Sequence, residues 1–143
     1  MTGAPRSCQT LMRALLFFAM AGGGIGCALH RHTIDFRPLT DAERIVVRDR
    51  NGDVVKTLDD PVIVRTAVRF IQQNSSGWED PLRGPLVPQY LLQFFYSNKD
   101  LGGYGIGRGY IVSNPTRDGF WSKEVSVADT EKLAKLLDVR MQK

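Results

Sequence analysis

The sequence predicts an α+β fold: a two-layer sandwich with a mostly antiparallel sheet, element order β-β-α-β-β-β-α, and two helices on one sheet face. Three observations carry that expectation. Five short runs read as strands from β-branched, aromatic or alternating residues bounded by turn signals, two other stretches repeat apolar residues at helical spacing, and the connections between neighbouring strands are of hairpin length.

The first strand is expected at Arg44-Ile45-Val46-Val47-Arg48-Asp49 and the second at Val54-Val55-Lys56-Thr57-Leu58. Asn51-Gly52 between them is a strong hairpin signal, since the favoured turn needs positive φ at both central residues. Asp60-Pro61 then opens a helix. The aspartate can accept from orphan amides, and proline suits the first helical position. Ile63, Val64, Ala67, Val68, Phe70 and Ile71 fall on one side, with Arg65, Arg69 and Gln72 opposite. Asn74-Ser75-Ser76-Gly77 ends it. Residues 75–88 read as a loop, with prolines at 81, 85 and 88 and with Trp78, Arg83 and Leu86.

Tyr90 to Ser97 reads as a strand whose Tyr90, Leu92, Phe94 and Tyr96 face inward. After a turn from Asn98 to Gly102, Gly103 to Ser113 is expected as one long strand. A turn over residues 114–119 leads to a strand from Phe120 to Val125. The last element is a helix from Ser126 to Val139. Ser126 is its expected cap, with Asp129 completing a capping box, and Val127, Leu133, Leu136 and Leu137 form its apolar stripe. Lys132, Lys135 and Arg140 lie toward solvent and the helix C-terminus.

Glycine occupies every second position of Gly103-Tyr104-Gly105-Ile106-Gly107-Arg108-Gly109-Tyr110. Phosphate-binding glycine loops lead into a helix and carry Lys-Ser/Thr, which this run does not. In a strand, the alternation strips one face of side chains and leaves Tyr104, Ile106, Arg108 and Tyr110 on the other. A helix or large aromatic packing closely on the bare face, or a bulge, explains the pattern structurally. The functional alternative is a surface for a partner's backbone, with Arg108 and the tyrosines as contacts, since Tyr and Arg are enriched in binding hot spots. Trp78, Arg83 and Trp121 could line a groove for a peptide or glycan, or the tryptophans could plug the ends of a small core. The candidate binding surface is therefore Trp78, Arg83, Tyr104, Arg108, Tyr110 and Trp121. Asp49-x-Asn51-x-Asp53 resembles a calcium loop, but Val54 stands where glycine belongs and the final glutamate is replaced by Asp60.

Ahead of the domain, Met12 to Cys27 reads MRALLFFAMAGGGIGC. A basic residue, Arg13, precedes a short apolar run and then small residues, the pattern of a secretory signal too short to span a bilayer. Gly24-Ile25-Gly26-Cys27 resembles the lipobox of bacterial lipoproteins, with Gly24 in place of the usual leucine. That resemblance implies removal of residues 1–26, acylation of Cys27 as the new N-terminus, and attachment to a membrane through two or more acyl chains. Ala28, in a Gram-negative host, implies the outer membrane, periplasmic side. Two other readings use the same residues: an ordinary signal cut nearby, or an uncleaved helical anchor, which Gly22-Gly23-Gly24 disfavours. Met12 is an alternative start. Residues 27–42 are expected as a lipidated tether and 43–143 as a single domain.

Composition narrows the chemistry. Arg6 and Arg13 leave with the signal, so the formal charge falls from +4 to +2, too balanced to argue for nucleic acid. Cys8 and Cys27 are the only cysteines, so neither a disulfide nor a thiolate zinc site is expected in the domain. His30 and His32 fall in the expected tether, leaving the domain without an imidazole for Ser-His-Asp or Cys-His chemistry. Glu79, Asp80 and Asp118 show no spacing that pairs them for acid–base work. No catalytic residue, metal or cofactor is expected. The sequence points to a non-catalytic binding or accessory module of the cell envelope, with an envelope protein as partner. The alternative is an inhibitor or immunity-type lipoprotein that blocks a periplasmic toxin or hydrolase. A carboxylate- or metal-dependent enzyme is the third class.

Overall fold

The computed structural model describes residues 31–80, 86–113 and 121–142. Its elements are β1 (His32–Thr33), a 3₁₀ turn (Arg37–Asp41), β2 (Arg44–Arg48), β3 (Val54–Leu58), α1 (Pro61–Gln73), β4 (Ser76–Trp78), β5 (Tyr90–Tyr96), β6 (Lys99–Gly107), β7 (Tyr110–Ser113), β8 (Ser122–Glu124) and α2 (Val127–Leu136). Six strands form one antiparallel sheet in the order β3-β2-β5-β6-β7-β8, and β1 pairs with β4 in a small ribbon. The ribbon joins the β8 edge through a bridge between Glu79 and Ser122. The fold is α+β, as the strand-like runs and helical periods predict.

Burial of one sheet face holds the two layers together. Ile45, Val47, Leu92, Phe94, Tyr104, Ile106 and Ile111 point to the helices and are fully buried against Val64, Ala67, Ile71, Leu133 and Leu137. Residues paired across the ladder share a face, so Leu91, Gln93, Gly103, Gly105 and Val112 lie on the opposite side. Tyr96, expected inward, is 48% exposed, because it ends its strand beyond the reach of the core.

The α1 cap forms as its residues require. Asp60 Oδ1 accepts from the amides of Val62 at 2.7 Å and Ile63 at 3.3 Å, with Pro61 at the first helical position. At α2 the expected box does not form: Ser126 stands at the N-cap without a side-chain cap bond, and Asp129 instead pairs with Lys132 at 3.7 Å. Val127 is 42% exposed, while Thr130 takes the buried place beside Leu133. The helix stops at Leu136, short of Val139. Asp138 adopts φ 54°, and the Val139 amide donates back to the Ala134 carbonyl at 2.9 Å, a Schellman ending.

Four other expectations are corrected. Residues 32–42 belong to the folded domain rather than a tether: His32 and Thr33 pair with β4, while Phe36 and Leu39 are 7% and 2% exposed in the core. The domain consequently contains a histidine, His32. Residues 76–78, expected within a loop, form β4 because β1 supplies their ladder partner. The β2–β3 turn has only one left-handed residue, Gly52 at φ 85°. Asp49 Oδ1 holds the amides of Asn51 and Asp53 at 2.9 and 3.0 Å, so the aspartate side chain organises this turn. Finally, the expected single strand from Gly103 to Ser113 is a hairpin. Gly107 pairs with Tyr110, and the two-residue turn Arg108-Gly109 reverses the chain with Gly109 at φ 82°.

The two sheet edges end differently. At β8 the ribbon continues the bonding pattern. At β3 the edge is free of a strand partner among the described residues, with Val54 and Val55 about half exposed and an irregularity between Val47 and Arg48 in its ladder. Lys56 lies on the helix side of this strand, opposite Val47, and pairs with Asp138. That ammonium group pulls the Asp138 carboxyl below the ordinary carboxylate range.

Candidate functional site

The glycine alternation leaves room for bulky neighbours on the outer sheet face. A β-carbon at Gly107 would overlap the ring of Tyr110, its partner across the hairpin. One at Gly105 would fall 2.6 Å from both Pro88 and Val112. Close packing therefore accounts for both glycines, with an aromatic ring and a proline as the covering groups. The Tyr110 hydroxyl donates to the Val87 carbonyl at 2.7 Å, and the Gln89 amide donates to the Ile106 carbonyl at 2.8 Å. These bonds tie residues 87–89 along β6.

The turn beside them is braced from α2. The Gly109 amide donates to Thr130 Oγ1 at 3.1 Å, the Thr130 hydroxyl donates to the Val127 carbonyl at 3.0 Å, and the Val125 amide donates to the Gly109 carbonyl at 3.0 Å. Arg108 projects from the turn, half exposed, with Nε 3.2 Å from Glu131 Oε1. Val87, bonded to Tyr110, and Val127, beside Gly109, are 62 and 42% exposed, and Leu86, next to Val87 in the chain, is 41% exposed. The hairpin tip thus carries a hydrogen-bonded tyrosine, exposed apolar side chains at Val87 and Val127, and one guanidinium–carboxylate pair.

The other expected contact residues do not gather there. Tyr104 is fully buried: its hydroxyl donates to the Ala67 carbonyl at 2.9 Å, and its ring stacks 5.6 Å from Phe94. Burial pushes its phenol far above the ordinary tyrosine range. Trp78 is also fully buried, donating from Nε1 to the Asn74 carbonyl at 2.8 Å, with the Phe36 ring 5.7 Å away. Neither presents surface to a partner, because each fills the core between sheet and helix. Trp121 is partly buried beside the ribbon, its ring centroid 3.7 Å from that of His32. Arg83 and Cys27 lie outside the described residues.

The distance between the two remaining regions follows from the ladder. Tyr110 pairs with Glu124 and Val112 with Ser122, while the Ser113 amide donates to the Trp121 carbonyl at 2.8 Å. Three residue steps separate the Tyr110 and Trp121 levels, about 10 Å along the strands. Sequence reasoning misses these apolar side chains because Leu86 and Val87 belong to no period, while Val127 shares the helical period of the core stripe and reads as buried. Among the described residues, no group of three or more His, Cys, Asp or Glu side chains is placed to hold a metal ion. Likewise, no helix among them is long and apolar enough to cross a membrane.

Comparison with known proteins returns no match: no family model, no curated protein and no solved structure is significantly similar to the chain.

Proposed function

We propose that this chain is a small lipoprotein of the bacterial envelope, anchored through acylated Cys27, whose domain is a non-catalytic recognition module. The observation that supports a binding role best is the hairpin tip. There, exposed Val87 adjoins Tyr110, whose hydroxyl is already committed to the Val87 carbonyl, and exposed Val127 lies beside Gly109 of the turn. A ring held in place before contact loses little conformational freedom on binding, and arginine or tyrosine beside exposed apolar side chains suits a protein partner. Arg108 adds a charge whose present partner, Glu131, is exposed and easily exchanged.

The test uses a photoreactive residue at position 87 in the full-length protein, expressed in its own envelope. One crosslinked protein is expected, and Val127→Glu should lose it while remaining folded. A crosslink that survives Val127→Glu refutes this surface. If the captured partner is a toxin or hydrolase and loses activity on binding, the module is of the inhibitor class. If its activity is unchanged, the module is an accessory one. Membrane attachment is tested separately: Cys27→Ser should move the protein to the soluble fraction, and the mass of the native N-terminus should show acyl chains.

A further inference from the structure

The ribbon fixes where the anchor meets the fold. His32 is already paired with Trp78, and Arg31 reaches Glu79 with Nε 3.5 Å from Oε1, while Glu79 bridges Ser122 at the β8 edge. Only residues 28–30 separate Cys27 from Arg31. Four peptide steps span at most about 14 Å. The headgroup layer on one side of a bilayer takes roughly 5–7 Å of that reach. What remains, about 8 Å, is less than the roughly 10 Å that separates two packed sheets.

We propose, resting on the lipoprotein reading above, that the corner formed by Arg31, His32, Glu79 and Trp121 lies against phospholipid headgroups. The occupant of this surface is the bilayer itself. Its chemistry matches the corner: Arg31 and Glu79 are 69 and 45% exposed and offer one charge of each sign to the phosphate and ammonium of a zwitterionic headgroup. Trp121, partly buried and in tilted contact with the His32 ring, is of the side-chain type that collects at membrane interfaces, where one part of the ring is dry and another wet. The leash is too short for the domain to drift away and turn freely. With Trp121 at the bilayer, the β6–β7 tip stands about 10 Å further along the strands, so the partner is met close to the membrane surface.

Trp121 reports on this arrangement directly, since the chain has 2 tryptophans and Trp78 is buried. The full-length acylated protein is placed in phosphatidylcholine vesicles with or without a nitroxide on the headgroup. The difference between wild type and Trp121→Phe isolates the Trp121 emission. That emission should fall about twofold with the nitroxide lipid while the leash holds to its ~14 Å reach. Inserting about 20 Gly/Ser residues after Leu29 extends the root-mean-square reach by roughly 25 Å and should restore it. Acylated Cys27 by mass with no quenching at the native leash length overturns the proposal. Equal quenching at both leash lengths overturns it too, because the leash then has no role. An unmodified Cys27 brings down the anchor and this arrangement together, and mass spectrometry reads that outcome independently of fluorescence.

Discussion

The ring of Tyr110 lies where a side chain on Gly107 would have to be. The two residues face each other across the β6–β7 hairpin, so the larger fills the space that the smaller leaves. Gly107→Ala should destabilise the domain by about 1–3 kcal/mol, the usual cost of overpacking a filled site. In a Tyr110→Ala background the same change should cost much less. Urea titrations of the four proteins give the coupling directly, and additive effects would show that the ring is not what excludes a side chain there.

Phe36 and Leu39 provide a second test, of where the folded unit begins. Both are core residues, packed with Trp78 and Ile71. Replacing either with alanine should cost about 2–5 kcal/mol, read from the urea midpoint. A loose tether at these positions would leave stability unchanged.

Tyr104 makes the domain sensitive to alkali. Its hydroxyl is buried and bonded to the Ala67 carbonyl, and its pKa is raised by desolvation. In the unfolded chain a tyrosine ionises near pH 10, whereas the folded hydroxyl keeps its proton. Above about pH 10 the folded state therefore binds more protons, and stability falls as pH rises. Tyr104→Phe should lose about 1 kcal/mol at neutral pH and flatten that alkaline decline. The urea midpoint measured from pH 7 to about 10.5 tests both parts.

Arg108 separates stability from recognition. Its ion pair with Glu131 is exposed, so Arg108→Ala should change unfolding free energy by less than about 0.5 kcal/mol. Its effect on affinity for the crosslinked partner should be larger, at about 1 kcal/mol or more if it acts as a hot spot. Calorimetry of unfolding and of binding on the same variant decides the matter.

How far these features could be read from the residues depended on whether their cause was local. The Asp60-Pro61 helix start is written in two adjacent side chains, and both act as their chemistry predicts. The alternating glycines announce close approach, yet Tyr110 and Pro88 cover them only after the chain turns at Arg108-Gly109. That dipeptide lacks the Asn, Asp or Pro that makes many turns visible, so the hairpin was hidden inside what reads as one strand. The β1–β4 ribbon is harder still, because two and three residues have no period and exist as strands only through each other. Of the expected contact residues, Arg108 and Tyr110 sit at the β6–β7 hairpin tip, while Trp78 and Tyr104 belong to the core. Sequence alone cannot divide large aromatics between those two fates, since interiors and interfaces both favour them.

Lys56 faces the helices from the outermost strand, opposite Val47, and its charge is neutralised by Asp138. A copy adding its own strand beside β3 would have to accommodate that cation and match an interrupted ladder, both of which oppose fibre-like growth. Under the proposed Cys27 anchor, copies on one membrane collide in two dimensions, where crowding is severe. On that arrangement, a lysine that discourages self-stitching at the β3 margin would let many copies share a membrane as separate units.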